Sequence, residues 1–277
     1  MPLAAVRLGA GVPEADFSAT VAEVHGRACL LDCADAGLLT LAIEELGGLP
    51  RGITLATPPG FAFKGALTEG ALAAARGGVL RIAGGALAVD LRRARPWRSA
   101  LGALGLDSGR EAVRAAWQAA LMVVAADGRG DGLRAIGGDA IAALGAARRA
   151  GNADVAAQAV TRLVGLGAGR TPSGDDYLVG FIAGLLAGGD AERLATALRA
   201  RVRTLALRTN RVSRLYLEAA ADGEVSERLH AVAAVIAAGG DAAAVQRAVT
   251  AALAVGHDSG AAGVLGLLDA CAPPAGP

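Results

Sequence analysis

VLRIAGGALAVDLRRARPWRS, residues 79–99, contains the change of period that decides the fold. Its first half is two short apolar runs broken by glycine. VLRIA and ALAVDL, separated by Gly84-Gly85, predict a β-hairpin with a tight two-residue turn. Its second half, Arg92–Ser99, carries four arginines and a proline with no apolar period, which reads as a solvated linker. Upstream, from Ala4 to about Leu91, short apolar runs such as SATVAEV, ACLLDC, GLLTLAI and GITLA are bounded by Gly and Pro, the pattern of strands. Only Thr68–Arg76 (TEGALAAAR) looks helical there. Downstream the period becomes helical. The expectation is an α+β chain: an N-terminal, mainly antiparallel β domain (residues 1–95), a small sheet or barrel, followed by an all-helical bundle domain (residues 107–271).

Ser108 with Glu111 three residues on forms a capping-box pattern ahead of AVRAAWQAALMVVAA. Asp127–Gly138 reads as a Gly-rich loop. Helices are predicted at Asp139–Ala150, Ala153–Leu163, Gly174–Ala187, Ala191–Leu207, Arg211–Ala221, Ser226–Ala238, Ala242–Val255 and Gly260–Cys271. Several are apolar nearly all round and belong at the centre of a bundle. The tail APPAGP reads as disordered, and no fixed repeat period is present.

The 277 residues carry 27 basic and 26 acidic side chains, a balance that argues against nucleic-acid binding. Aromatics are only 3%, too few for a stacking platform. The odd, sparse cysteines Cys29, Cys33 and Cys271 fit a reducing compartment. Cys29 and Cys33 lack a second Cys/His pair at metal-ligand spacing, so no metal site is assigned. There is no basic leader before an apolar run. The longest apolar stretch, Tyr177–Gly189, is shorter than the roughly 18–20 residues that span a bilayer. A cytoplasmic location is expected.

One segment carries most of the chemistry: GLGAGRTPSGDD, Gly165–Asp176, ahead of the apolar helix YLVGFIAGLLAGG. Gly165, Gly167 and Gly169 free the backbone for tight turns and close ligand approach. Arg170 adds a fixed charge, Thr171 and Ser173 add hydroxyls, and Gly174, Asp175 and Asp176 lead into the helix. A helix start after such a loop presents N–H groups and a partial positive charge to an anion. The Gly-Lys-Ser/Thr of a Walker loop is missing. Ser173 as an ordinary cap, with two favourable first-turn acids, is the plainer reading.

Gly256-His257-Asp258-Ser259-Gly260 repeats the pattern before AAGVLGLLDAC. A shared pocket would explain the repetition, so the two Ser-Gly helix starts are expected to converge. His257 is the titratable candidate here, against a purely structural loop histidine. In TNRVSR, Asn210 is a candidate cap. It would place Ser213 on the first turn with Arg211 and Arg214, which share a face that can grip a carboxylate or phosphate. The alternative is a solvated face with Arg214 paired to Glu218.

These three segments in this order, GLGAGRTPSGDDYLVG, TNRVSRLYLEAAADGE and GHDSGAAGVLGLL, resemble the AllH-like family of oxamate carbamoyltransferase subunits. Such proteins often carry a proline where this chain has Ala168 and a leucine where it has Arg170. The resemblance implies a role in allantoin (purine) catabolism. The enzyme interconverts oxalurate plus phosphate with oxamate plus carbamoyl phosphate. It also implies partner subunits, one of them resembling an acyl-CoA synthetase.

On that basis Ser173 and the helix-start N–H groups (Gly167, Gly169, Gly174, and Ser259 and Gly260 in the second loop) would hold the phosphate. Arg170 and Thr171 would assist, Asn210, Arg211, Ser213 and Arg214 would hold the acceptor, and Asp175, Asp176 or His257 would move the proton. No metal is required. Asp175 and Asp176 would hold Mg²⁺ through waters if a nucleotide is bound. Two other functions stay open: a non-catalytic anion- or nucleotide-binding assembly subunit, and an ATP-dependent phosphotransferase.

Overall fold

The alternating runs of the first ninety residues fold as strands in a computed structural model that describes residues 3–189 and 191–273. The last four residues of the APPAGP tail lie outside the described residues, and so do Met1, Pro2 and Asp190. The chain divides into two compact units, Met1–Arg98 and Ser99–Pro277.

The first unit contains β1 (Leu3–Gly9), β2 (Phe17–Val24), β3 (Ala28–Cys33), β4 (Gly37–Ile43), β5 (Gly52–Ala56), β6 (Leu72–Arg76), β7 (Val79–Ile82), β8 (Leu87–Asp90) and β9 (Arg95–Trp97). They join in the order β5-β4-β3-β2-β6-β7-β8-β1, and β1 pairs back to β5, so the sheet closes on itself. Closure leaves those eight strands without an open edge. Val21, Leu31, Leu39, Leu41, Ile53, Leu55, Leu80, Ile82 and Val89 form its dry core. Cys29 and Cys33 are buried free thiols in it, and burial pushes the Cys29 thiol up to about 12.

Four expectations need correction here. The antiparallel description holds only in part, because β4–β5, β1–β8 and β1–β9 are parallel. Alternation reports which faces a strand buries but not the direction in which it enters the sheet. Residues 72–76 are a strand and not a helix. Ala73 and Ala75 pair with β2 on one side and β7 on the other, and that pairing outweighs alanine's helical preference. The hairpin closes at Ile82↔Leu87, so its turn is Ala83–Ala86 rather than two residues, with Ala83, Gly84 and Gly85 all at positive φ. Arg95–Trp97 of the supposed linker pairs with β1.

The second unit is helical: α1 (Glu111–Asp127), α2 (Asp131–Ala150), α3 (Ala153–Leu163), α4 (Ser173–Gly188), α5 (Glu192–Leu205), α6 (Arg211–Ala221), α7 (Glu227–Ala237), α8 (Ala242–Leu253) and α9 (Ser259–Ala270). Asn152, Asn210, Ser226 and Asp241 cap their helices by side-chain bonds. Ser108 does not. Arg110 holds the cap position of α1, and Asp107 takes up the Gly109 amide instead. Most of the Gly-rich loop at 127–138 is the first two turns of α2. Its Gly137 lies against Leu163 and Leu166, where an added Cβ would come 2.8 Å from Leu166 Cδ2.

The two most apolar helices, α4 and α9, lie at the centre and touch backbone to backbone. A Cβ on Gly180 would come 1.8 Å from the Gly263 carbonyl, and one on Gly266 would come 2.0 Å from that of Tyr177. Gly184 meets Leu267 and Ala270 in the same way. The facing positions advance together along both helices, so α4 and α9 run parallel, with their N-termini at one end. No helix among the described residues is long and apolar enough to cross a membrane.

Candidate active site

Two helix starts of the same construction meet at that end. Before α4, Gly165, Gly167 and Gly169 have φ of 76°, 111° and 95°, as the spaced glycines predict. A Cβ on Gly167 would lie 2.9 Å from the Ser173 amide. Before α9, Gly256 has φ 66°, and its Cβ would lie 3.1 Å from Ser259 Oγ. In each helix the second residue is a glycine seated on a carbonyl of the preceding helix. Gly174 rests on Leu163 and Gly260 on Ala252, with 2.2 Å left for a Cβ in both cases.

Their amides are already engaged. Gly174 N donates to Leu166 O at 2.9 Å and Gly260 N to Val255 O at 3.0 Å. The Asp175 and Asp176 amides donate to Pro172 O. The polarity of this end therefore comes from side chains and the two helix dipoles more than from open amides.

The side chains connect the two loops. Thr171 Oγ1 and Ser259 Oγ are 2.6 Å apart, so the expected convergence is present as a direct hydrogen bond. Both hydroxyls face the Asp176 carboxyl and favour its charged form, while its Oδ2 is buried without a hydrogen-bond partner. Burial pushes Asp176 up to about 7. The Ser259 and Thr171 bonds oppose that shift and the neighbouring Asp175 charge adds to it.

Asp175, one residue earlier, has a different role. It is 1% exposed, accepts from Gly165 N at 2.7 Å on Oδ1 and from Thr209 Oγ1 at 2.5 Å on Oδ2. The Ser213 hydroxyl faces the same carboxyl without closing a bond of good geometry. Burial raises the Asp175 pKa, and these donors work against that. Asp175 thus ties the Gly-rich loop to the start of α6. Thr209 was missed by the sequence reading, although it stands directly before the predicted cap Asn210.

Asn210 caps α6, accepting from the Val212 and Ser213 amides at 3.0 Å each. Arg214 pairs with Glu218 at 2.7 Å, one turn along α6, and Arg211 and Arg170 are exposed. His257 is not drawn into the cluster. Its side chain is 92% exposed and its Nδ1 lies 2.7 Å from Asp258 Oδ1. With both Asp175 oxygens taken, the Asp175–Asp176 pair does not offer Mg²⁺ two free carboxylates. Among the described residues no group of three or more His, Cys, Asp or Glu could hold a metal. The 360 Å³ cleft lined by Ala100–Ala103, Leu186, Arg199 and Asp222–Glu224 contains none of these residues.

The sequence model of the family described as oxamate carbamoyltransferase subunit AllH matches residues 163–271. That span begins at the end of α3 and closes just after α9, so it contains both loops and every side chain of the cluster. The match supports an AllH-like family for this chain. No curated protein and no solved structure matches.

Proposed function

From a chain whose residues 163–271 are AllH-like, we propose a subunit of a carbamoyltransferase that acts on oxamate- or oxalurate-like small carboxylates, in allantoin catabolism in the cytoplasm. Other subunits, one resembling an acyl-CoA synthetase, would complete the enzyme. The observation that carries the reading is the Thr171–Ser259–Asp176 cluster at two converging helix starts. Transfer of a carbamoyl group to or from phosphate needs a place for an anion and a group that exchanges a proton with an amide nitrogen near neutrality. The paired helix dipoles and the two hydroxyls favour the anion. Asp176, held at about 7, is divided between acid and base forms at neutral pH.

In the direction that consumes oxalurate, the ureido carbonyl carbon passes from the oxamate nitrogen to a phosphate oxygen, and protonated Asp176 supplies that nitrogen's proton. The reverse direction returns it. Arg170, on the loop beside Thr171, and Arg211, two residues from Thr209, supply exposed charge for the substrate carboxylate. Asp175 keeps loop and α6 in register.

The test is phosphorolysis of oxalurate by the chain together with its partner subunits, measured as carbamoyl phosphate formed, with Asp176→Asn as the comparison. General acid–base groups contribute about 10²–10⁴-fold, so the variant should lose at least 100-fold while remaining folded. Phosphate-stabilised protein with no turnover in any assembly would favour the binding-subunit reading. ATP consumption would favour the phosphotransferase.

A further inference from the structure

We propose that Ser259 is a nucleophile that carries the carbamoyl group as a covalent ester, with Asp176 as its base and Thr171 orienting its hydroxyl. The proposal rests on the carbamoyl-transfer reading above and adds a reaction order to it.

Ser259 opens α9 but caps nothing. The cap position belongs to Asp258, which makes no side-chain cap bond. The first-turn amides of Gly260 and Ala262 go to the Val255 and Asp258 carbonyls. A serine kept only to start a helix spends its hydroxyl on an amide of the first turn. Here the hydroxyl turns to Thr171 at 2.6 Å and to the Asp176 carboxyl. A nucleophile, a base and a group that orients them are thus within bonding reach of one another, which is the arrangement an activated hydroxyl needs.

Access separates the roles. Ser259 is half-buried and reachable, whereas Asp176 Oδ2 is withdrawn from water with no partner. Asp175 cannot serve as the base, because both of its oxygens already accept bonds. Ser259 is also a primary alcohol, less hindered than the secondary hydroxyl of Thr171. Gly256, at positive φ, leaves its Oγ clear where an alanine would press on it. The N-terminus of α9 places partial positive charge beside the oxygen as it becomes negative.

The steps balance. Ser259 Oγ bonds to the carbonyl carbon of carbamoyl phosphate, and its proton passes to Asp176. The bond between that carbon and the bridging phosphate oxygen breaks, and phosphate leaves with the electron pair and takes the proton from Asp176, which is again free to act as base. In the second half the oxamate amide nitrogen bonds to the same carbon, Ser259 Oγ leaves, and the nitrogen's proton returns to it through Asp176.

The experiment uses the full chain with its partner subunits and carbamoyl phosphate as the probe. Radiolabelled phosphate is added without oxamate. The parent should exchange label into carbamoyl phosphate. It should also show, by mass spectrometry after quenching, one carbamoyl group on Ser259 that disappears when oxamate is added. Carbamoylation of Lys64, the only lysine, or of the amino terminus would persist. Ser259→Ala should lose exchange by about 100-fold or more with unchanged helical circular dichroism, and Ser259→Cys should keep a modified residue 259. Turnover of carbamoyl phosphate with oxamate, but no exchange and no adduct in its absence, means direct transfer and overturns the proposal while leaving the function standing. Parental exchange in Ser259→Ala also overturns it. Absence of any carbamoyl-phosphate-dependent turnover removes the function itself.

Discussion

Gly180→Ala should damage this protein far more than a methyl group ordinarily does. The new Cβ would sit 1.8 Å from the Gly263 carbonyl oxygen, and the obstacle is backbone on a buried helix, not a side chain that can turn away. Real Cβ contacts stay beyond 3.0 Å, so α4 and α9 must separate by about 1 Å along their shared seam. A gap of that size forfeits a quarter to a half of each dispersion contact across it. Overpacking of this kind costs about 1–3 kcal/mol, and a backbone obstacle puts it at or above the top of that range. Alanine's better helix propensity returns only about 1 kcal/mol.

The net loss should be about 2 kcal/mol or more. At roughly 2–4 °C per kcal/mol for a unit of this size, the melting temperature should fall by at least about 4–8 °C. Gly138→Ala is the control. It lies in α2 with nothing within 4 Å of its would-be Cβ, so propensity alone acts and the melt should rise by a few degrees. Thermal melts followed by helical circular dichroism read both. If Gly180→Ala melts with the parent, the backbone contact between α4 and α9 is not as described.

Asp176 should give stability a distinctive pH dependence. Its folded pKa of about 7 lies above the roughly 3.9 of an unfolded aspartate, so its contribution is full below about pH 4 and is lost as pH rises through 7. Asp176→Asn should remove that decline and melt above the parent at pH 8; parallel melting-versus-pH curves would contradict it. Asp175→Ala removes the acceptor of the Gly165 amide and of the Thr209 hydroxyl, two part-buried hydrogen bonds that contribute about 0.5–1.5 kcal/mol each. Urea unfolding should show a clear loss of stability, with Asp175→Asn milder because one acceptor remains. Phosphate or carbamoyl phosphate at a hundredfold its Kd should add about 2.7 kcal/mol to stability. Gly167→Val should abolish that thermal shift through positive φ and collision with the Ser173 amide. His257→Ala should leave the melt within about 0.5 kcal/mol of the parent, as expected of an exposed side chain.

Local physics fixed several features without reference to the rest of the chain. Positive φ at Gly165, Gly167 and Gly169 follows from three glycines in a turn, since glycine alone adopts that conformation without strain. The helix after Thr171-Pro172 and the Asn210 cap follow from residue chemistry within a few positions of each. Strand alternation exposed the β texture of the first ninety residues, except at 72–76. There a run of alanines carries no local signal strong enough to resist two flanking strands.

Other features depend on contacts between distant segments. Sheet closure is one, since it pairs β1 with β5 some fifty positions later. The meeting of Thr171 with Ser259 is another. The separation of Asp175 from Asp176 is a third, and the most consequential for function. The two carboxylates are identical in type and adjacent in sequence, but a helix turns each residue about 100° from the last. One therefore faces Thr209 and the loop amide, and the other faces the hydroxyls of Thr171 and Ser259. Sequence could put two carboxylates at a helix start. Only the packing of α4 against α6 and α9 determined that the first holds the structure and the second is left with an oxygen to spare.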